Sequence, residues 1–272
     1  TGVQTCALPI STASDRDFLF TFTSYLYPTT ILRYDVVANH LETFQASGIT
    51  VDTNLYVTTQ VFYPSTDGAT VSMFLTHRKD LPLDGSSQAL IYAYGGFDWP
   101  NLPQFEIPYY LWIQQGGVLA VANLRGGGEY GEEWHRAGML EQKQHVFDDM
   151  IAAAEWLIAN GYTSRSRLAI RGLSNGGLLV GTCLTQRPDL FGAVLCLVPV
   201  TDMLRYHRFT SGRLWISEFG CADASAEEFR YLHAYSPLHN VRDGVVYPAT
   251  LIATADRSEE HTSELQSLTN LV

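Results

Sequence analysis

The fold is decided by the stretch Arg167-Leu-Ala-Ile-Arg-Gly172-Leu-Ser174-Asn175-Gly176-Gly-Leu-Leu-Val180. Its apolar start predicts a buried parallel strand, and a helical pattern begins just behind the serine. A serine on such a sharp strand-to-helix turn needs small residues two positions before and after it. A side chain at either place would collide with the neighbouring strand or helix, and glycine occupies both. The stretch therefore predicts a nucleophile elbow that presents Ser174.

The surroundings of Ser174 strengthen this short motif. A Gly-x-Ser-x-Gly pattern alone is weak, because glycine and serine are common residues. Here a strand precedes it, while Gly177 and the apolar pair Leu178-Leu179 follow it. The free backbone N–H groups of the helix would stabilise a negative oxygen beside the serine. The alternative is a serine that only occupies a tight glycine turn.

Strands and helices alternate on both sides of this motif. Apolar runs predict strands at residues 89–94, 117–123, 192–200 and 247–254, and a one-faced apolar stripe predicts a helix over residues 147–160. This alternation builds a mostly parallel sheet with flanking helices. The predicted fold class is α/β, in the form of an α/β-hydrolase.

The earlier part of the chain follows a different pattern. Alternating aromatic and β-branched runs predict a meander of strands up to residue 47, with turns at Pro28 and Asn39. Two further strands around a turn at residues 64–68 predict a hairpin. We place a domain boundary at about residue 50.

Composition and charge exclude several classes of protein. A chain of 272 residues with 46% hydrophobic residues can bury a large core. Its formal net charge of -11 argues against nucleic-acid binding, which needs a basic surface. The apolar runs are too short to span a membrane, and the start carries no signal segment. The four cysteines show neither paired nor metal-ligand spacing, which predicts reduced thiols and a cytoplasmic protein.

Both ends of the chain have an unusual coding property. Residues 1–10 can be encoded by ACTGGAGTTCAGACGTGTGCTCTTCCGATC, and the reverse complement of that DNA, read after a leading A, encodes residues 257–266. The DNA resembles a common sequencing-library adapter. We therefore expect residues 1–10 and 257–272 to be adapter-derived and to lie outside the fold.

Longer motifs carry a resemblance to a known family. Five segments are similar to the prolyl oligopeptidases, namely Tyr94–Phe97, Gly117–Gly131, Gly172–Leu179, Gln186–Gly192 and Tyr235–Asn240. The similarity covers nearly all of residues 11–256. It implies that residues 11–50 are the last strands of a β-propeller with a linker, and that residues 51–256 are an α/β-hydrolase peptidase domain truncated at its carboxyl end.

The resemblance also implies an activity. It points to a serine peptidase that hydrolyses short proline-containing peptides on the carboxyl side of proline, through an acyl-enzyme. Ser174 would attack the peptide carbonyl, and the oxyanion would be held by the Asn175 backbone N–H and the Tyr94 hydroxyl. The alternative for Tyr94 is a core aromatic residue. Neither a cofactor nor a metal is implied.

A pocket for the proline ring follows from the same resemblance. Trp215 matches the tryptophan that stacks on the ring in this family, and the further apolar walls would be Phe97, Val200 and Phe219. The family usually has a tyrosine where this chain has Phe219, so one polar contact is absent. Preference for proline over alanine in such a pocket is modest.

The triad acid and base cannot be assigned in this chain. In α/β-hydrolases they follow the serine on separate loops. Asp256 and His261 are too close in sequence for that, and His261 falls in the adapter-like end. Four other histidines are interpreted as rim, turn or loop residues: His135, His207, His233 and His239. We therefore expect the chain as printed to be inactive.

Three other functions remain open. A peptidase of the same family that cuts after basic residues would need acidic residues in the pocket. An esterase on the same fold is disfavoured by the propeller-like strands before residue 47, which restrict entry to short peptides. A non-catalytic binding protein with this fold is the third possibility.

Overall fold

The computed structural model describes residues 6–14, 16–209 and 211–254, with side chains from residue 16 onward. The chain divides into two compact units. The first comprises the described parts of Thr1–Gln60, Phe74–Leu81 and Leu102–Leu119, and the second those of Val61–Met73, Pro82–Asn101 and Ala120–Val272. The boundary expected near residue 50 stays a prediction.

The first unit contains a four-stranded antiparallel sheet. Its strands follow the chain order: β1 (Cys6–Ser14), β2 (Asp17–Ser24), β3 (Tyr27–Asp35) and β4 (His40–Gln45). The predicted meander is thus present. One turn differs, because the chain reverses at residues 25–26 and Pro28 is the second residue of β3. Proline is tolerated at a strand start, where a missing N–H costs little.

Residues 6–10 differ from their expected place outside the fold. Their backbone belongs to β1 and pairs with residues 20–23 of β2. Ladder hydrogen bonds join backbone groups only, so the open edge of a sheet accepts an extended segment of almost any sequence. This pairing does not bear on the DNA origin of the segment. Residues 1–5 and 255–272, including Asp256 and His261, lie outside the described residues.

The second sheet has seven strands. They are β5 (Tyr56–Pro64), β6 (Thr70–Arg78), β7 (Ala89–Tyr92), β8 (Val118–Asn123), β9 (Leu168–Leu173), β10 (Ala193–Leu197) and β11 (Ala249–Ala253). Their spatial order is β11-β10-β9-β7-β8-β6-β5. The neighbours β11, β10, β9 and β7 pair in parallel. The carboxyl ends of parallel strands lie at the same edge of a sheet. The site described below is built from residues that follow these carboxyl ends.

Seven α-helices accompany the strands in the described part of the chain, besides short 3-10 turns. They are α1 (Ile107–Gln114), α2 (Glu132–Arg136), α3 (Gln144–Ala159), α4 (Asn175–Gln186), α5 (Ile216–Phe219), α6 (Ala226–Tyr235) and α7 (Pro237–Asn240). The predicted stripe on α3 is buried at Phe147, Ala154 and Leu157. Over these same residues, no helix has both the length and the apolar character that a bilayer span requires. The α/β-hydrolase architecture predicted from the sequence is confirmed.

An ionic cluster is buried at the end of β8. Arg125 is 4% exposed and donates two hydrogen bonds from its guanidinium to Asp149 Oδ1 and one to Oδ2. The same guanidinium donates to Ser65 Oγ and to Asp67, in the turn between β5 and β6. The hydrogen bonds from Arg125 lower the pKa of Asp67 to about 2. Arg125 thereby fixes the second turn of α3 and the hairpin turn to the end of β8.

Three cysteines with described side chains are free thiols: Cys183, Cys196 and Cys221. Burial raises the pKa of Cys183, and it raises the pKa of Cys196 to about 12. Both thiols therefore stay protonated near neutral pH and pack as small apolar groups. The cytoplasmic location expected from the cysteine spacing stays a prediction.

Candidate active site

Ser174 occupies a sharp turn between β9 and α4. Its backbone has φ 59° and ψ -115°, in a region that side-chain-bearing residues rarely adopt. The Ser174 N–H donates to the Leu197 carbonyl oxygen at 2.9 Å, and the Ser174 carbonyl accepts from the Leu178 N–H at 3.0 Å. A strained conformation held in this way is typical of a functional position. The geometry is that of the predicted elbow.

The glycines on both sides of Ser174 are required by close packing. A Cβ at Gly172 would overlap the carbonyl oxygen of Gly176. A Cβ at Gly176 would lie 2.8 Å from the carbonyl oxygen of Ala93 on the neighbouring strand. Both contacts would be closer than a carbon and an oxygen atom can approach. The chain can therefore form this turn only with glycine at positions 172 and 176.

Tyr94 reaches the elbow from the end of the neighbouring strand β7. Its side chain lines the same cavity as Ser174. Burial raises the pKa of the Tyr94 phenol above its usual value, and the nearby Ser174 hydroxyl acts in the opposite direction. The phenol therefore keeps its proton at neutral pH and can donate it. The Tyr94 carbonyl in turn accepts a hydrogen bond from Asn175 Nδ2 at 2.6 Å.

These residues open onto one cavity of about 250 Å³. It is lined by Tyr94, Phe97, Ser174, Asn175, Val200, Trp215 and Phe219. All seven residues expected at the site thus lie around a single cavity, although they come from four separate segments of the chain. Their roles in chemistry stay predictions.

Aromatic rings form the apolar walls of the cavity. The Phe97 ring meets Phe219 edge to face at a centroid distance of 5.4 Å, and it meets Trp215 in the same manner at 6.4 Å. Trp215 also stacks on Tyr206 with an interplanar angle of 9°. Such packing fixes the ring orientations, so Phe97, Trp215 and Phe219 form a rigid apolar part of the cavity, called here the slot.

The described histidines lie away from the cavity lining. His233 is exposed, as expected for a rim position. His239 lies on the short helix α7 instead of in a turn, and its Nδ1 is 2.8 Å from Ser236 Oγ. The His207 side chain is only 9% exposed, which is less than expected for a rim residue. Its Nε2 lies 2.9 Å from Asp223 Oδ2. His135 lies on α2 instead of in a loop, and it contacts Glu218.

One group of side chains has the composition of a metal site. His207, Cys221 and Asp223 place potential ligand atoms within 4.8 Å of one another. Arg208, however, donates hydrogen bonds to both carboxylate oxygens of Asp223. A guanidinium on the only carboxylate of the group opposes cation binding at that place.

Sequence reasoning missed the charged groups packed behind the cavity. Lys143 and Glu218 are both buried, and each contacts backbone of the loop that follows Tyr94. No local pattern marks them, because a lysine in a helical stretch is normally exposed. The only available signal was the adjacency of Glu218 to Phe219.

Comparison with known proteins assigns the family. A family model described as the prolyl oligopeptidase family matches residues 103–260, more than half of the chain. The chain belongs to the prolyl oligopeptidase family. The resemblance found in the sequence motifs is therefore confirmed.

Members of the prolyl oligopeptidase family resemble the chain in sequence and in structure. This chain is 44% identical over 246 residues to a prolyl endopeptidase of Elizabethkingia meningoseptica. The aligned region covers 90% of this chain and 35% of that protein. A solved structure from a study of two prolyl endopeptidases and their inter-domain dynamics superimposes with a TM-score of 0.92 at 46% identity, covering 98% of this chain and 41% of the other. A post-proline cleaving enzyme from Rickettsia typhi gives a TM-score of 0.92 at 34% identity, covering 98% and 38%. The chain spans about a third of the length of the curated relatives it matches.

Proposed function

We propose that the protein containing this chain is a serine peptidase that cleaves short peptides on the carboxyl side of proline. The observation that carries the proposal is the cavity itself, which brings together a strained serine, the phenol of Tyr94 and a slot of aromatic rings. The membership of the family supports a peptidase. The relatives named above are called prolyl endopeptidases or a post-proline cleaving enzyme.

In the proposed reaction the Ser174 oxygen attacks the carbonyl carbon of the residue seated in the slot. The developing oxyanion accepts hydrogen bonds from the Tyr94 hydroxyl and from the Asn175 backbone N–H. Asn175 is the first residue of α4, whose helix N-terminus also favours negative charge. A general base outside residues 11–256 accepts the Ser174 hydroxyl proton during the attack and returns it to the leaving amine as the intermediate collapses. The acyl-enzyme that remains is then hydrolysed by water.

The slot accounts for the proposed preference for proline. A pyrrolidine ring is compact, apolar and only slightly puckered, so one of its faces can pack on Trp215 beside Phe97 and Phe219. Val200 is 2% exposed and closes the remaining side. No acidic side chain lines the cavity among the described residues, which argues against a slot for basic residues. The phenyl group of Phe219 offers no hydrogen bond, so discrimination rests on shape.

We further propose that the triad acid and base are absent from residues 11–256 and that the printed chain is inactive. Without a base to accept its proton, the Ser174 hydroxyl is a weak nucleophile at neutral pH. Oxyanion and binding contributions alone leave only a small residual rate.

The test compares a full-length protein that includes residues 11–256 with two variants of it. The substrates are peptide p-nitroanilides that differ only in carrying proline, alanine or arginine before the leaving group. We expect the proline peptide to be cleaved fastest. Ser174→Ala should lower its cleavage by at least about 1,000-fold. Ser166→Ala removes the same hydroxyl from an exposed position before β9 and should leave cleavage unchanged.

Each alternative function has its own outcome in this test. Preference for the arginine peptide would support cleavage after basic residues, and faster turnover of a simple ester than of any peptide would support an esterase. Binding of a proline peptide without Ser174-dependent cleavage would support a non-catalytic protein. Cleavage by the printed chain that Ser174→Ala removes would refute the proposed absence of the triad partners.

A further inference from the structure

A buried carboxylate lies directly behind the aromatic walls of the cavity. Glu218 on α5 is 4% exposed. Its Oε1 accepts a hydrogen bond from the Phe97 backbone N–H at 2.8 Å, and its Oε2 lies 2.8 Å from His135 Nε2. Glu218 precedes Phe219 in the chain and follows Trp215 by three residues. The Glu218 side chain therefore joins the segment that carries the Trp215 and Phe219 walls to the backbone of the third wall, Phe97.

A buried ammonium group complements this carboxylate. Lys143 is 1% exposed, and its Nζ donates to the Gly95 carbonyl oxygen at 2.8 Å. The Nζ lies 3.8 Å from Glu218 Oε1 and 5.3 Å from the centre of the Phe219 ring. Burial lowers the pKa of Lys143 to about 8, while Glu218 acts to raise it. An isolated charge is unfavourable at such depth, so each group depends on the other.

The loop held by these two groups has an unfavourable backbone. Gly95, Phe97 and Asp98 have φ angles of 62°, 59° and 55°, all in the left-handed region. Residues with side chains persist there only where the surroundings hold them. Lys143 holds the carbonyl of Gly95, the first residue of this loop, and Glu218 holds the amide of Phe97, the third. Tyr94, which lines the cavity beside Ser174, immediately precedes the loop.

We infer that Glu218, charge-balanced by Lys143, is a positioning residue that sets the specificity of the cavity. By holding the Phe97 amide it keeps the three aromatic walls at the spacing of a proline ring. Glu218 is absent from the cavity lining and acts through Phe97 and Phe219. This inference rests on the proposed function, since it concerns the slot for the residue before the cleaved bond.

The decisive measurement is the ratio of kcat/KM for the proline peptide to that for the alanine peptide. Glu218→Met removes the acceptor for the Phe97 amide and should lower this ratio about tenfold, with a rise in KM for the proline peptide. Glu218→Gln keeps an acceptor oxygen at the same reach and should retain the ratio within about threefold. A displaced wall weakens ring binding without removing Ser174 or Tyr94, so a residual Ser174-dependent rate should remain.

Two further variants separate positioning from general loss of stability. Glu129 is another largely buried carboxylate that accepts a backbone N–H, from Asn101 at 2.8 Å, outside the cavity. Glu129→Met should leave the proline-to-alanine ratio unchanged. Lys143→Met removes the donor to the Gly95 carbonyl and should lower the ratio in the same direction as Glu218→Met. It also provides the test if Glu218→Met fails to fold.

The outcomes distinguish this inference from the proposed function. If the unsubstituted protein shows no Ser174-dependent cleavage of the proline peptide, both are overturned. If cleavage is present but Glu218→Met and Lys143→Met keep the wild-type ratio, only the positioning role is overturned. The same holds if Glu129→Met lowers the ratio as much as Glu218→Met does. A lowered ratio in Glu218→Met that Glu218→Gln restores supports the inference.

Discussion

Replacement of Tyr94 by phenylalanine isolates the contribution of one hydroxyl to the proposed reaction. The ring stays, so the packing around it is kept while the hydroxyl beside Ser174 in the cavity is lost. The Asn175 backbone N–H remains as the second oxyanion donor. Removal of one such donor from a preorganised site costs about 100-fold to 1,000-fold in kcat, which corresponds to roughly 3–4 kcal/mol in the barrier. We expect Tyr94→Phe to fall in this range.

The expected kinetic pattern is specific. The oxyanion carries full charge only after the serine attacks, so the hydrogen bond strengthens in the transition state and KM should change by less than about threefold. Because burial holds the pKa of Tyr94 above its usual value, the phenol stays protonated and the ratio of wild-type to variant kcat should be constant between about pH 6 and pH 9.

The assay is steady-state hydrolysis of a proline p-nitroanilide by the full-length protein. Tyr92→Phe is the matched control, because it removes the same hydroxyl two residues earlier on β7. The ring that it keeps lies 5.5 Å from the Arg171 guanidinium carbon. This control should retain kcat within about twofold. A Tyr94→Phe variant with kcat within about threefold of wild type would refute the oxyanion role, and a large rise in KM alone would reassign Tyr94 to substrate binding.

Three further predictions concern stability. Asp149→Asn leaves the buried Arg125 guanidinium without its buried carboxylate and should lower the free energy of unfolding by about 3–5 kcal/mol. Asp67→Asn changes a carboxylate that is 40% exposed and should lower the free energy of unfolding by about 1 kcal/mol. Urea denaturation of each variant measures both values. Because the pKa of Asp67 is lowered from 3.8 to about 2, its contribution is present above pH 4 and is lost as the pH falls towards 2, so the melting temperatures of wild type and Asp67→Asn should converge over that interval. Gly172→Ala places a methyl group against the Gly176 carbonyl and should lower the free energy of unfolding by about 3 kcal/mol, which lowers the melting temperature. An unchanged melting temperature would contradict the packing described for the elbow.

The elbow could be predicted because its causes are local. A strand, two glycines and a helix start within one short stretch determine the backbone of Ser174, and each can be read from neighbouring residues. The placement of Tyr94 and the aromatic walls needed the family motifs, since they come from distant segments. The sequence order alone does not state that these segments meet.

The charged groups behind the cavity could not be predicted, for a physical reason. Glu218 contacts Phe97 across 121 positions and His135 across 83 positions of the chain. Such pairings depend on how the loops pack after the sheet has formed. Lys143 also contradicts the usual exposure of lysine, and its burial is explained only by the carbonyl and carboxylate around it. The pairing of residues 6–10 with β2 could not be predicted either, because strand pairing at the edge of a sheet joins backbone groups and needs no side-chain pattern.

The ionic cluster around Arg125 also bears on the cooperativity of folding. Its bonds to Asp67 and Asp149 span 58 and 24 positions of the chain. Contacts of such long range close large loops, and closing each loop costs chain entropy. The guanidinium has its full set of partners only when the hairpin turn, the end of β8 and the second turn of α3 are all in place. We therefore expect these three segments to dock cooperatively, so that a loss of Arg125 would loosen all of them together.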